Sequence, residues 1–491
     1  MNKKFGYIPL DERKKVLLLC DDIRMHSGIA TMAREFVVNT ADHFKWYQLG
    51  AGINHPDAGK VFDLNADINA RLEIKDAEVK IEPYNGYGDA SKIRQLLKTE
   101  KPDAIFIFTD PRYWTWLFDI EREIRSEIPI FWLNIWDDYP APMYNKPYYN
   151  SVDLLMAISK QTRNINELVL GDEAKNKVIK YVPHGIDEEM FFPIRTEKAH
   201  AVVSPDHILY EDYEKFKSDM FQGKEIDYVV FYNSRNIARK HPADVILAYK
   251  EFCDKIGEEK AKKCALVMHT AIVDQHGTDL RAVKEAITDP EFVNIYFSTN
   301  KLTPQQMNLL YNIADITILM SSNEGWGLSL TESMMAGTMI TANVTGGMQD
   351  QFKFVDDNGD WIDFDKDFPS NHRGTYKECG DWALPIFPSN ICLAGSPNTP
   401  YIFDDRCSST DAANALVEAY ELGKEERNRR GMLGREWVTS DTSNMSSKNM
   451  CKNIAAAMNE AFDKFTPRSE FDLILVEEST DKKVKHKITG Y

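Results

Sequence analysis

The sequence predicts an α/β protein made of two doubly wound domains, and three observations support this fold class. Short apolar runs, of the kind that form buried parallel strands, alternate with amphipathic helical patterns along the chain. The alternation occurs twice, on either side of a charged stretch without periodicity at 194–227, which we interpret as a linker. The 491 residues also suffice for two domains of ordinary size. We therefore expect one largely parallel sheet in each half.

The first predicted domain, residues 1–193, opens with a strand, a loop and a helix. The run from Lys15 to Cys20 has the composition of a buried strand. The loop that follows contains Gly28, and a helical pattern extends from there through Val38. Further apolar runs that end in polar or aromatic residues lie at 103–108, 128–134 and 154–159.

The second predicted domain, residues 228–438, repeats this alternation. Its apolar runs lie at 228–232, 265–268, 293–297, 316–320 and 339–342. The span near 357–404 is rich in Pro, Gly, Asn and aromatic residues, which predicts a long irregular insertion. Long ordered loops are often functional. The insertion can therefore shape a binding site or cover a sheet edge, and both interpretations stay open.

The most informative segment is a glycine-flanked acidic loop between a strand and a helix. The strand is predicted at 316–320, and the helical pattern from Leu328 to Ala336 is followed by Gly337 at a C-cap position. In open α/β sheets, ligands bind where strands end and helices begin. Glu324 lies in the loop, and Glu332 follows in the second helical turn. Because each carboxylate accepts hydrogen bonds from neighbouring hydroxyls, the pair is suited to a polyhydroxylated ligand.

Two cations occupy an equivalent position earlier in the second half. Arg235 and Lys240 follow the strand pattern at 228–232, and Pro242 is well placed in the first turn of the next helix. Permanent cations at this edge can stabilise negative charge on an anionic ligand. The alternative interpretation is a solvated basic loop.

The motifs around these residues resemble those of retaining glycosyltransferases of the GT-B fold, especially glycosyltransferase family four. The resemblance begins with Glu324-x7-Glu332, which encloses Gly325, Trp326, Gly327 and Leu328 and is trailed by Met335-Ala336-Gly337. Further matching segments occur in the order that the family has, and they are Val182-Pro183-His184-Gly185-Ile186-Asp187, Arg235-Asn236-Ile237-Ala238-Arg239-Lys240 and Gly346-Gly347. The resemblance extends from about Lys14 to Val438.

The resemblance implies a nucleotide-sugar donor bound mainly by the second domain. Arg235 and Lys240 would hold the diphosphate, Glu324 the sugar hydroxyls and Glu332 the ribose. The donor site would be completed by Gly28, Gly325, Trp326, Gly327 and Leu328, partly through backbone amides. The family pattern also implies retention of anomeric configuration and a C-terminal segment, 439–491, with a helix that returns to the first domain before a polar tail. No Asp-x-Asp triplet is present, and we expect no metal and no cofactor.

The chain departs from the family in its first domain. Many relatives place a histidine after the strand matched here by 131–134, but this sequence continues Ile135-Trp136-Asp137-Asp138-Tyr139. Asp137 is our candidate for a catalytic contact with a sugar or acceptor hydroxyl, although either aspartate can instead cap the next segment. Asp110 is a weaker candidate. His184 replaces an asparagine of the family motif, and we interpret it as structural.

The composition of the chain restricts the kinds of partner that we expect it to bind. The net charge of −17 opposes a broad nucleic-acid surface. A local basic strip is conceivable, and its residues are Lys92, Arg94, Lys98 and Lys101. No apolar run is long enough to span a membrane, so we expect no stable membrane insertion. The first residues contain no signal core, and seven cysteines match no zinc spacing. These features predict a cytoplasmic protein whose cysteines are free thiols, located in the host cytoplasm if the protein is viral.

The sequence leaves the acceptor open. A hexosyl or pentosyl group could pass to a glycan or small molecule, which we favour, and such an acceptor is expected to stack on residues such as Trp136 and Trp382. Transfer onto hydroxymethylated bases of phage-type DNA is an alternative on the same fold. A sugar-nucleotide epimerase and an inactive nucleotide-sugar-binding protein are alternatives of other classes. Epimerases need no acceptor, which distinguishes them from transferases.

Overall fold

The computed structural model describes residues 6–52, 54–194, 207–364, 376 and 378–469. Two mostly parallel sheets, one in each half, carry helices on their faces, as the sequence predicts. Alternate residues of the first strand enter separate cores: Val16 and Leu18 join one, and Leu17 and Leu19 join the other. A sheet that is buried on both faces requires continuous apolar strands, which explains why the runs were recognisable.

The first sheet has the strand order β3-β4-β2-β1-β5-β6-β7-β8 within the described residues, and all its pairs are parallel except β3 with β4. Its strands are β1 (Lys15–Asp21), β2 (Lys45–Ala51), β3 (Phe62–Asp63), β4 (Val79–Pro83), β5 (Ala104–Phe108), β6 (Ile130–Asn134), β7 (Leu154–Ala157) and β8 (Val178–Tyr181). The helices of this half are α1 (Gly28–Asn39), α2 (Asn65–Leu72), α3 (Ala90–Glu100), α4 (Thr115–Phe118), α5 (Glu121–Arg125), α6 (Lys146–Asn150) and α7 (Lys160–Leu170).

The second sheet has the order β11-β10-β9-β12-β13-β14 and is parallel throughout its described strands. The strands of this half are β9 (Tyr228–Asn233), β10 (Cys264–His269), β11 (Ile295–Ser298), β12 (Ile316–Leu319), β13 (Met339–Asn343), β14 (Ala383–Ile386), β15 (Asn390–Ser396) and β16 (Thr399–Arg406). The helices that follow α7 are α8 (Tyr210–Phe221), α9 (Pro242–Ile256), α10 (Glu258–Ala261), α11 (Leu280–Ile287), α12 (Pro304–Ile313), α13 (Leu328–Met335), α14 (Met348–Phe352), α15 (Ser409–Glu421), α16 (Gly423–Thr439) and α17 (Ser447–Lys464). Short 3₁₀ helices lie at Pro111–Tyr113, Met143–Asn145, Gly171–Asn176 and Ala238–Lys240.

Two segments contain more regular structure than the sequence indicated. The predicted linker at 194–227 includes α8, whose Tyr213 and Phe221 are buried against the second half of the chain. The span near 357–404, expected to be irregular, contains β14 and an antiparallel hairpin of β15 and β16. The expectation of irregularity was wrong for these residues. Their strands are short and carry few adjacent apolar residues, because the hairpin is exposed along β15.

The C-terminal helix α17 packs on the first half of the chain. Its Ser447 hydroxyl donates to the Glu35 carboxylate of α1, and Phe462 packs edge-on against Phe131. Because α16 contacts α13 of the second half, the chain crosses from one half to the other between these two helices. The domain limits drawn from the sequence remain predictions. The end of the predicted polar tail, 470–491, lies outside the described residues.

The two halves also meet directly through α7. The backbone amide of Lys160 donates to the Asp350 carboxylate over 2.9 Å, and its ammonium donates to the Ile362 carbonyl over 2.6 Å. Tyr181 donates a second hydrogen bond to Asp350. Burial raises the pKa of Asp350 to about 6, against the lowering effect of the Lys160 charge.

No helix among the described residues is both long and apolar enough to cross a membrane.

Candidate functional site

A cavity of about 680 Å³ lies between the two halves, where strands of both sheets end. Its walls include the start of α1, the loop after β6, the loop after β9 and the segment that joins β12 to α13. We call residues 321–327 the acidic loop. All the residues assigned to the donor from the sequence line this cavity, and they are Gly28, Arg235, Lys240, Glu324, Gly325, Trp326, Gly327, Leu328 and Glu332. Asp137 lines it as well.

The acidic loop is held by a close backbone approach from the next loop. The amide of Gly347 donates to the carbonyl of Glu324 over 3.0 Å. A Cβ atom on Gly346 would lie 2.0 Å from that same carbonyl oxygen, and one on Gly347 would lie 2.1 Å from the carbonyl oxygen of Gly325. Only residues without a side chain fit at both positions. The glycine pair noticed in the sequence therefore sets the position of Glu324.

The acidic loop is also tied to the first half of the chain. The side-chain amide of Asn323 donates to the buried Asp138 carboxylate over 2.8 Å. The side-chain amide of Gln161 donates to the carbonyl of Asp137 over 3.0 Å, and Gln161 in turn accepts from Gln349. Asp138 is consequently occupied in joining the two walls of the cavity.

Glu324 forms a buried ion pair with Lys240. The carboxylate is in direct contact with the ammonium, and the two side chains are 13% and 8% exposed. Arg239 is the next cation, 4.0 Å from the same carboxylate. Burial and the Arg239 charge lower the pKa of Lys240, and the Asp137 carboxylate partly opposes this lowering. Glu324 is therefore the nearest opposite charge to an ammonium at a position that disfavours charge.

The third cation of the cavity, Arg235, is mostly exposed. Its guanidinium is 67% exposed and lies 3.7 Å from Asp274, which is a weak attachment. Sequence reasoning named Arg235 and Lys240 but missed Arg239, which also lines the cavity. Arg239 directly precedes Lys240 in the sequence, but the family motif specifies only the arginine and the lysine at its two ends, so it does not single out Arg239.

Glu332 stands at the end of a hydrogen-bonded chain. Asn233 at the end of β9 donates to the Tyr311 hydroxyl over 2.8 Å, and Tyr311 donates to the Glu332 carboxylate over 2.5 Å. Burial raises the pKa of Glu332, while the Tyr311 hydrogen bond lowers it. One carboxylate oxygen is thus engaged by the protein, and the side chain lines the cavity.

Two helices begin at the cavity from opposite sides. Helix α1 is capped by Ser27, whose hydroxyl accepts from the amide of Ala30, and a Cβ on Gly28 would lie 3.4 Å from the Leu328 side chain of α13. Gly327, with φ of 87°, precedes α13. Helix N-termini present free amides and a partial positive charge. The cavity is therefore suited to an anionic group near these ends.

His184 lies in the wall of the cavity, where sequence reasoning assigned it a structural role. It is 5% exposed and packs edge-on against Phe108 and Trp326. Burial lowers the pKa of His184 to about 3, so its imidazole is neutral near pH 7. Its Nδ1 atom is buried without a hydrogen-bond partner among the described residues. The ring therefore adds no charge to the cavity.

Asp137 occupies the boundary between this cavity and a second one of about 410 Å³. Burial raises the pKa of Asp137, against the lowering effects of Arg239 and Lys240. Within the described part of the chain, no other residue donates a hydrogen bond to its carboxylate. Ile135 and Arg239 also line both cavities.

The two tryptophans expected to stack on an acceptor lie in different surroundings. Trp136 and Trp382 are each only 5% exposed. The indole of Trp136 donates to the Asp138 carbonyl, and Trp382 stacks on Trp437. Trp382 lines neither of the two cavities, so its expected contact with an acceptor was wrong, whereas Trp136 lines the second cavity and its stacking on an acceptor stays a prediction.

The basic strip on α3 is partly neutralised. Lys92 pairs with Glu82 over 2.6 Å, and Arg94 forms a two-pronged pair with Glu123. Counter-ion release from nucleic acid requires uncompensated cations. The strip is consequently weaker as a phosphate-binding surface than its sequence suggested.

Among the described residues, no group of three His, Cys, Asp or Glu side chains is placed to hold a metal ion.

Comparisons with known proteins agree with this geometry. Residues 215–367 match the family model described as glycosyl transferases group 1. A glycosyltransferase from Rickettsia africae is similar in structure, with 14% identity, a TM-score of 0.59 and coverage of 92% of this chain and 100% of that one. HepE from Anabaena, solved with UDP and glucose, has 13% identity, a TM-score of 0.59 and coverage of 91% and 100%.

Sucrose-phosphate synthase from Thermosynechococcus elongatus is also similar, with 13% identity, a TM-score of 0.57 and coverage of 92% of this chain and 100% of that one. No curated protein matches the chain in sequence. The fold is GT-B, with two Rossmann-like domains that face each other across a cleft. The matched segment contains Arg235, Lys240, Glu324 and Glu332.

The buried ion pair leads to a stability prediction. Replacing Glu324 by alanine should destabilise the protein by about 3–5 kcal/mol, because the buried ammonium of Lys240 loses its partner. The pKa of Lys240 is lowered in the folded state, so the unfolded chain binds more protons at alkaline pH. The free energy of unfolding of this variant should therefore rise as the pH increases above neutral. Urea denaturation between neutral and alkaline pH measures both effects.

Two further variants control this experiment. Adding Lys240→Met to Glu324→Ala should recover most of the lost stability, since no buried charge then remains. Glu259→Ala, which removes a surface partner of Lys262, should leave the free energy of unfolding almost unchanged. A Glu324→Ala protein as stable as wild type at neutral pH would contradict the assignment.

Proposed function

We propose that the protein is a glycosyltransferase that moves a sugar from a nucleoside-diphosphate donor to an acceptor hydroxyl. The observation that carries this proposal is the meeting of three cations and three carboxylates in one cavity, beside two helix N-termini. The cations are Arg235, Arg239 and Lys240, and the carboxylates are Asp137, Glu324 and Glu332. The match to a glycosyltransferase family model across 215–367 and the UDP-sugar ligands of HepE support it.

The charges suggest how a donor is oriented. Cations and helix N-termini suit a diphosphate, since both stabilise negative charge without reorganisation. Arg235 is the most exposed of the cations and has the weakest internal partner, so it can turn toward a ligand at little cost. A carboxylate with one engaged oxygen, as in Glu332, suits the vicinal hydroxyls of a ribose. Glu324 then lies beside the sugar.

The reaction is a group transfer that balances without a cofactor. The bond between the anomeric carbon and the diphosphate oxygen breaks, and the electron pair leaves with the nucleoside diphosphate. A bond forms between the anomeric carbon and the acceptor oxygen, and the hydroxyl proton is released to the diphosphate or to solvent. Lys240 and Arg239 stabilise the charge that develops on the leaving group. We propose retention of configuration, in line with the Glu324-x7-Glu332 resemblance.

Asp137 is the proposed contact for the acceptor hydroxyl. Its carboxylate lies at the boundary of the two cavities and is not engaged by a hydrogen bond from another described residue. The raised pKa makes it a better proton acceptor than an ordinary aspartate, because basicity rises with pKa. The neutral His184 also lines the first cavity.

The proposed function is tested with a panel of sugar nucleotides. Wild-type protein should bind one of them and release its nucleoside diphosphate faster when an acceptor is added. The anomeric configuration of the product, read by proton NMR, tests retention. Asp137→Asn should slow acceptor-dependent release by roughly 100-fold or more while nucleotide affinity is kept, since it loses the proton acceptor but not the shape. Release of epimerised sugar nucleotide instead would indicate the epimerase alternative, and binding without turnover would indicate an inactive binding protein.

The cations should control affinity for the bare nucleoside diphosphate. Arg235→Ala and Lys240→Ala should each weaken binding by roughly 1.5–3 kcal/mol, which is the range for a hydrogen bond to a charged group. Isothermal titration calorimetry measures the loss. Arg281→Ala, an exposed cation of the same half outside the cavity, is the matched control and should bind like wild type. Wild-type affinity in both cavity variants would remove the phosphate assignment.

Glu332 and Glu324 should differ in which part of the donor they affect. If Glu332 accepts from the ribose, wild-type protein should prefer UDP to its 2′,3′-dideoxy analogue, and Glu332→Ala should lose that preference. Because protonation removes the acceptor, the preference should also fall as the pH drops through the raised pKa of Glu332. Comparing two diphosphates cancels the titration of the phosphates themselves.

Glu324→Gln is the matched variant for this experiment. It should keep the preference for UDP over the dideoxy analogue and lose transfer activity, since it lies beside the sugar rather than the ribose. Equal loss of ribose discrimination in both variants would contradict this division.

A further inference from the structure

The second cavity is built by both halves of the chain and lies directly beyond the boundary at Asp137. One wall is the turn Asp110–Arg112 after β5, and the facing wall is the end of the hairpin of β15 and β16. Its volume of about 410 Å³ is within the range of small-molecule sites. The two cavities share Ile135, Asp137 and Arg239, so a molecule in each would meet at Asp137.

The hairpin is fastened to the first half by strand β16. Thr399 accepts a hydrogen bond from the Arg112 guanidinium, and the amide of Phe403 donates to the Tyr139 carbonyl over 2.7 Å. Tyr401 accepts from the hydroxyl of Tyr144 through its carbonyl over 2.9 Å. These contacts give the second cavity a defined wall, although β15 on the outer side is exposed.

The charges of the second cavity cancel. Its lining includes two arginines and two aspartates, and they are Asp110, Arg112, Asp137 and Arg239. The guanidinium of Arg112 is committed to the Asp110 carboxylate over 2.7 Å and to Thr399. Arg239 donates to the Asn323 carbonyl and lies beside Glu324. An anionic ligand would have to displace these partners and approach Asp137, which is unfavourable.

We propose that the second cavity is the acceptor site and that it takes a compact, uncharged molecule rich in hydroxyl groups, such as a free sugar or polyol. This inference rests on the proposed transfer function and names its substrate class. Asp137 accepts from the reacting hydroxyl, and Ser396, Thr399 and Asn323 line the remaining volume. A phosphorylated acceptor or a DNA strand meets the carboxylates without an uncompensated cation to hold it.

Ser396 gives a variant that fills the second cavity without touching the donor cavity. It is exposed at the end of β15, so a larger side chain is tolerated by the fold, and it does not line the cavity that holds the proposed donor residues. Leu393 is 67% exposed on the same strand and lines neither cavity. Ser396→Trp and Leu393→Trp therefore form a matched pair.

The experiment measures acceptor-dependent release of nucleoside diphosphate with glucose, mannose, glycerol and inositol, with their phosphate esters and with hydroxymethylated DNA. Wild-type protein should use at least one neutral compound and neither of the charged classes. Ser396→Trp should lower that activity at least roughly tenfold, while nucleotide affinity and acceptor-independent hydrolysis stay within about twofold of wild type. Leu393→Trp should behave as wild type in every measurement.

Two outcomes would contradict the proposed acceptor site. Undiminished transfer by Ser396→Trp would overturn the location of the acceptor site, and transfer to a phosphate ester or to DNA would overturn the substrate class. If no sugar nucleotide binds, the proposed function itself fails. The cavity is then judged by saturation-transfer NMR with the neutral compounds alone. Binding that is lost only in Ser396→Trp would support a polyol site, and no binding to wild type would overturn it.

Discussion

The geometry of the cleft depends on the buried contact between the Lys240 ammonium and the Glu324 carboxylate. Two charges that are nearly removed from water are tolerated only when each compensates the other. Lys240 comes from the loop after β9 and Glu324 from the loop after β12, so the pair joins the ends of two neighbouring strands. Arg239 and Asp137 lie close enough to shift the pKa of Lys240. The charged groups of the site therefore form one coupled set.

The acidic loop that carries Glu324 is held from three directions. The glycine pair Gly346–Gly347 approaches its backbone from the second half, and Asp138 accepts from Asn323 across the cleft. The Phe403 carbonyl of the hairpin also accepts from the Asn323 amide. A loop with this many fixed contacts presents its carboxylate in one orientation before any ligand arrives. Preorganisation of this kind lowers the cost of binding and of charge development.

The chain as a whole is acidic, and yet the cleft contains three cations. Their charges are compensated locally, by Asp274 at Arg235, by Glu324 at Lys240 and by a backbone carbonyl at Arg239. Such a site favours a ligand with an anionic group that binds Arg235, the cation with the weakest internal partner. The same ligand should carry hydroxyl groups that donate to the carboxylates. The cavity beyond Asp137 lacks a cation as exposed as Arg235, which separates the chemistry of the two cavities.

The sequence by itself determined many of the buried strands of the two sheets, because continuous apolar runs are a local property. It also singled out Arg235, Lys240 and Glu324 in loops that follow strands and Glu332 in the helix that comes next, and all four line the first cavity. The strands β2, β4 and β8 were not recognised, since their patterns are short or mixed with polar residues.

Only the tertiary structure decided the contacts between residues far apart in the chain. It brought His184 and Arg239 into the cleft, paired Arg94 with Glu123 and packed Trp382 against Trp437, away from both cavities. It also placed the hairpin of β15 and β16 against the first half, where it closes a second cavity. Contacts of this kind depend on how elements pack in three dimensions, and the pattern of any one segment does not contain that information.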